Sequence, residues 1–269
     1  MKKFMILIFP VVLFLAGCKN SDGVFLYSLE DDKTLGAETA AQIAADPATY
    51  PVLDRNSNQA AYAYLEEMKT MILNGGEVKH KDDFDWNLYI IDDPSTLNAF
   101  CTPGGYIYVY TGLINYLEDA SSLAGVMGHE IGHADHRHSM SQIQKQMGIS
   151  LLISAFVDEN SSALVQLGTQ MVANLTTLAF SRSDETEADK SSVEYLCPTD
   201  FEADGAANFF IKIEAEGGTQ PPQFLSTHPN PDNRVQNIQE EASGLSCGNE
   251  AADPMINGVS YQTFQGYFN

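Results

Sequence analysis

Two histidines four positions apart, with an acid directly after the first, make His129-Glu130-Ile131-Gly132-His133 the segment of this chain best suited to chemistry. On a helix, about 100° per residue brings both imidazoles onto one face with the carboxylate beside them. That geometry suits a tetrahedral zinc ion, with Glu130 held off the metal as a general base for an attacking water. A catalytic centre of this kind needs a third protein ligand, so an acid or histidine on another helix is required. The cluster Asp184, Glu185, Glu187 and Asp189 offers one. Glu185 and Asp189 are four apart and share a helix face, so Glu185 can bind the metal while Asp189 accepts the outer N–H of a ligating histidine; Glu187 points elsewhere. The expected complement is one zinc ion per chain, held by His129, His133 and Glu185. His228 lies in Leu225-Ser226-Thr227-His228-Pro229-Asn230-Pro231, where two prolines fix the backbone and aim the side chain. It is expected beside the metal, as a gate on the fourth position or a donor to the developing oxyanion. His80, His136 and His138 are read as structural or solvated.

The elements that must position these groups are legible in the periodicity. From Ala120 onward the pattern is helical, with Asp119 as its cap and Leu123, Val126, Met127 and Ile131 as its apolar face. Helical patterns also cover Thr34 to Ala45, Ser57 to Leu73, Ser162 to Phe180, Asp184 to Leu196, Glu202 to Glu216 and Asn233 to Ala242. Phe84 to Ile91 reads as a strand entering a core, and the strictly alternating Tyr106-Ile107-Tyr108-Val109-Tyr110 as a second strand after the turn Pro103-Gly104-Gly105. The fold class is therefore α+β, mostly helical with a small sheet.

Met1-Lys2-Lys3 and the apolar stretch Phe4 to Ala16 read as an export signal. The run Leu15-Ala16-Gly17-Cys18 resembles a lipobox, which makes residues 1–17 the signal, Cys18 the lipidated N-terminus, 18–33 a tether, 34–248 the catalytic domain and 249–269 a C-terminal tail. The run Met147 to Phe156 is too short to span a bilayer and reads as a buried helix. With 36 acidic against 14 basic residues and a net charge of −22, the surface repels nucleic acid, and lipid rather than charge must hold the chain at a membrane. Cys197 and Cys247 each sit where a helical pattern stops, on adaptable loops, and are expected to form a disulfide; Cys101 lies in an apolar segment and packs as a small hydrophobe.

Several segments together resemble the gluzincin peptidase family that contains the CAAX prenyl proteases, HtpX and BepA. They are Asn98-Ala99-Phe100, Pro103-Gly104-Gly105 with Gly112-Leu113, the extended His129 to His138 run, Phe180-Ser181-Arg182, Glu185 with Glu187-Ala188-Asp189, and His228-Pro229 with Arg234. The resemblance implies the same zinc ligands and the same base, Glu130. It also implies that Tyr106 to Tyr110, with Gly104 and Gly105, is an edge strand on which Tyr106, Ile107 and Tyr108 pair with a peptide substrate. Cys101-Thr102 and Ser192 depart from the family pattern, and the multipass membrane region and tetratricopeptide repeats of some members have no counterpart. The function implied is a zinc metalloendopeptidase acting on unfolded or misassembled cell-envelope polypeptides, lipid-anchored on the periplasmic side of the outer membrane. The rival reading is a zinc-containing chaperone or assembly factor, which an intact Glu130 argues against.

Overall fold

The helix carrying His129 and His133 has no exposed face. All residues of Ala120–Asp135 are buried, and the Asp119 carboxylate caps the helix by accepting the Ser122 N–H at 2.7 Å. A helix buried on every side belongs at the centre of its fold. The computed structural model describes residues 27–76, 78–147, 161–175, 179–216, 223–229, 233–247 and 252–268. The expected export signal, Cys18 and residues 148–156 of the apolar run fall outside the described residues. Among the described residues no helix is long and apolar enough to cross a membrane.

In chain order the elements are α1 (Leu29–Ala44), α2 (Gln59–Gly75), β1 (Leu88–Ile91), β2 (Ala99–Thr102), β3 (Tyr106–Tyr110), α3 (Thr111–Tyr116), α4 (Ala120–Asp135), α5 (His138–Met147), α6 (Ser161–Asn174), α7 (Arg182–Leu196), α8 (Gly205–Glu216), α9 (Gln223–Thr227), α10 (Arg234–Leu245) and α11 (Tyr261–Gln265). This is the expected α+β architecture. Helix α4 packs chiefly on α7 and α8. The approach to α8 is backbone to backbone: a Cβ at Gly125 would lie 2.1 Å from the Ala206 nitrogen. Ser192, on α7, donates its hydroxyl to the Gly125 carbonyl at 2.7 Å, so this departure from the family pattern ties α7 to α4.

The sheet order is β1-β3-β2, with β1 parallel and β2 antiparallel to β3. The expectation of Tyr106–Tyr110 as an edge strand is therefore corrected. β3 is central, its hydrogen-bonding edges are taken by β1 and β2, and Tyr106, Ile107 and Tyr108 cannot pair with a guest strand. Gly104 and Gly105 are not in the cleft either. Their φ angles of 75° and 83° make the β2–β3 turn, where a Cβ on Gly104 would meet the Lys33 Cα at 2.8 Å and one on Gly105 the Trp86 ring at 3.0 Å. The strand with a free edge beside α4 among the described residues is β2.

Other boundaries moved for local reasons. Helix α1 starts at Leu29, within the expected tether, because Ser28 and Asp31 form a capping box. Asp32, 1% exposed, is gripped by Arg137 through Nε and Nη2, both at 2.7 Å. Strand β1 begins only at Leu88. Helix α6 ends at Asn174, short of Phe180, whose N–H instead bonds the Thr227 carbonyl at 3.0 Å. Part of the expected C-terminal tail packs inward: Tyr261 and Phe264 are fully buried, and Phe264 stacks on Tyr64 at 4.1 Å. Cys197 and Cys247 form the expected disulfide, with Cα atoms 5.0 Å apart, and Cys101 is free and buried.

Candidate metal centre

Helix α4 aims His129 and His133 at one point, where their Nε2 atoms are 3.0 Å apart. Helix α7, started by a capping box between Ser181 and Asp184, brings in Glu185. The Glu185 carboxylate is 3.5 Å from His129 Nε2 and 3.4 Å from His133 Nε2. His228 completes the group, with Nδ1 at 3.0 Å from Glu185 Oε1 and 3.2 Å from His129 Nε2. One ligand-type atom from each of the four lies within 4.8 Å of the others, and all four side chains are buried. The His228 ring is held by stacking on Phe224 at 4.3 Å, and Phe180 stacks on His133 at 4.0 Å. Glu130 lies just outside this group, its Oε1 at 3.4 Å from His228 Nε2.

Whether this pocket fits a cation can be judged from its acceptors. Glu185 Oε2 and Glu130 Oε1 are buried without a hydrogen bond, although the Arg234 guanidinium is 3.1 Å from the former. Unspent buried carboxylate oxygens are costly unless something cationic meets them. With two imidazole nitrogens converging on the same point, the donor set is that of a zinc-type ion.

The surroundings tune each group. Burial opposes the charged form of Glu185, but His228, His129 and His133 outweigh it and hold the carboxyl well below its usual range. Burial likewise opposes charge on His129; Asp189 and Glu185 overcome it and raise the imidazole to about 9. Burial pushes His133 far down and Glu130 up. A buried acid with a raised pKa, off the ligand cluster, is suited to exchanging protons with a reacting group.

Behind the ligands the two histidines are backed differently. Asp189 Oδ1 lies 2.8 Å from His129 Nδ1, the contact expected from its spacing to Glu185. Arg234, at the start of α10, clamps Asp189 with bonds of 2.8 and 2.6 Å and lies over the Phe210 ring. His133 Nδ1 meets His138 Nδ1 at 2.9 Å, and His138 Nε2 meets Glu187 Oε2 at 3.1 Å. Glu187 points away from the first cluster, as expected, and of the structural or solvated roles expected for His136 and His138 the structural one holds, both being buried in this outer group. Sequence reasoning missed it because Arg137 adopts φ 58°, which folds the chain back on α4 outside any helical period. Beside Glu130 a mostly apolar pocket opens, lined by Phe100 and Cys101 of β2 and by Ile143, Met171, Leu175 and Phe180.

Two imidazoles from one helix, a carboxylate from a second and a buried acid left off the ligand group define the class of metal-dependent hydrolases built on an H-E-x-x-H helix. The model of peptidase family M48 matches residues 57–242, and the chain belongs to that family. Over 168 residues, 61% of this chain, it is 33% identical to the mitochondrial metalloendopeptidase OMA1 of Arabidopsis thaliana. It is 30% identical over 182 residues, 65% of this chain, to the protein of that name from Schizosaccharomyces pombe, and 29% identical over 162 residues, 55% of this chain, to the beta-barrel assembly-enhancing protease of Escherichia coli. The matched parts are 34%, 52% and 33% of those relatives' lengths.

Proposed function

We propose that this chain is a zinc-dependent endopeptidase that cleaves internal bonds of unfolded or misassembled envelope polypeptides. The observation that carries the reading is Glu130, fully buried, off the ligand group, with one carboxylate oxygen facing His228 and the pocket. His129, His133 and Glu185 would hold one zinc ion, which supplies Lewis-acid polarisation of the scissile carbonyl and makes water acidic enough to attack near neutral pH. Glu130 takes the proton of the attacking water and passes it to the leaving amine. His228 stands between Glu185 and Glu130, where it controls access to the remaining position.

The substrate reading follows from β2. An extended peptide can add to its free edge through backbone bonds, with little demand on side chains, and the pocket of Phe100, Met171 and Phe180 favours one apolar side chain. Only an unfolded segment can present both. The Escherichia coli relative is named for enhancing beta-barrel assembly, which agrees with an envelope role. The lipobox-like run ending at Cys18 supports a lipid anchor outside the cytoplasm, Lys19 in place of a retention aspartate favours the periplasmic side of the outer membrane, and the charge of −22 argues against nucleic acid. The test compares cleavage of an unfolded protein by residues 19–269 and by the same chain with Glu130→Gln. Equal cleavage by the two ends the enzyme reading.

A further inference from the structure

Behind the first cluster lie three more ligand-type groups that the proposed chemistry leaves unused. His136 Nδ1 is 3.3 Å from Glu187 Oε1 and His138 Nε2 is 3.1 Å from Glu187 Oε2, and the three groups lie within 4.8 Å of one another. The histidines are buried, but Glu187 is 40% exposed, so the group opens to solvent through its carboxylate. Lys79 Nζ stands 3.2 Å from His136 Nδ1, and the Ser191 hydroxyl is 2.7 Å from His136 Nε2. An ammonium only donates, so Nδ1 is the lone-pair nitrogen and Nε2 carries the proton toward Ser191. A metal-binding histidine has this arrangement: one nitrogen free, the other anchored. A positive charge borne by the protein thus already stands at the nitrogen that an ion would take.

We propose that His136, His138 and Glu187 form a second divalent-cation site, for a borderline ion such as zinc, weaker than the first and antagonistic to it. The weakness comes from Lys79, which a cation must displace. The antagonism rests on the reading that His133 binds the first ion through Nε2. His133 then carries its proton on Nδ1 and donates it to His138 Nδ1, leaving His138 protonated on Nε2 toward Glu187. A cation at His138 Nε2 requires that ring's proton on Nδ1, facing the proton of His133 across 2.9 Å. The conflict is relieved when His133 shifts its proton to Nε2, or turns, and its hold on the first ion is lost. Each ring keeps one proton throughout.

Equilibrium dialysis against zinc, with cleavage followed over the same concentrations, tests this on residues 19–269. Excess zinc should inhibit the chain. Lys79→Met should lower the inhibitory concentration about tenfold by removing the competing charge, without altering affinity for the first ion, and Glu187→Gln should raise it at least about tenfold. His133→Ala, folded by circular dichroism, should still bind one ion, lost again in the double variant with Glu187→Gln. The dialysis arm reads binding with no reference to turnover, so an inactive chain that binds this ion would sink the proposed function and not the second site. An inhibitory concentration unmoved by Lys79→Met and Glu187→Gln, or His133→Ala that folds and binds nothing, overturns the proposal.

Discussion

Glu130 and Glu185 are both buried carboxylates within one small cluster, yet their surroundings drive them in opposite directions. Burial raises Glu130, while three imidazoles pull Glu185 down. Removing the first should therefore spare the metal and abolish the chemistry. Glu130→Gln is expected to keep its zinc by elemental analysis while turnover falls by about a hundredfold or more; loss of the ion would make Glu130 a ligand. Glu185→Ala should empty the site, and Asp189→Ala, which frees the back of His129 and removes the partner that clamps Arg234, should weaken zinc binding by about 10- to 100-fold. His228 sits inside the ligand cluster, so His228→Ala is expected to raise basal cleavage as a gate is removed. A fall in rate would make it a transition-state donor, and no change would deny it both roles. These four positions were readable because spacing on a helix, and two prolines following a histidine, constrain side-chain direction. The His133–His138–Glu187 chain was not, since it depends on the left-handed Arg137.

The elements were legible in proportion to their length and regularity. The central helix α4 and its Asp119 cap follow directly from the apolar period. The short β2, α3, α9 and α11 carry too few residues to show one. Alternation in Tyr106–Tyr110 identified a strand, but alternation says nothing about how many neighbours it has. Burial does not separate the two cases either, because β2, with its free edge, is buried at all four positions much as β3 is. The α4–α8 contact yields a sharp expectation. Gly125→Ala places a methyl against the Ala206 backbone, which no rotamer can relieve, and should cost about 1–3 kcal/mol in denaturant unfolding, or more if α8 cannot move. A stability equal to the parent's would mean that the two helices are further apart than described.

At the scale of the molecule, the disulfide joins the end of α7 to the segment after α10, closing a sequence separation of 50. Chain entropy assigns such a loop on the order of 4 kcal/mol, so Cys197→Ser with Cys247→Ser should lower unfolding stability by about that amount, as measured against denaturant under oxidising conditions. The same two helices are also joined through Asp189 and Arg234, which places the covalent link and the support of His129 on one interface. The cysteine pairing was readable from loop position. The docking of Tyr261 and Phe264 on Tyr64 was not, because nothing in a short aromatic segment names its distant partner. The order in which the centre receives its parts has a further consequence. His129 and His133 leave the ribosome early, but His228 and Arg234 arrive late and Cys247 later still. A nascent chain can present two imidazoles and a carboxylate long before it can support, gate or lock them. In order of synthesis, all three proposed zinc ligands precede Arg234, so the clamp on Asp189 that backs His129 closes only after the ligands themselves are made.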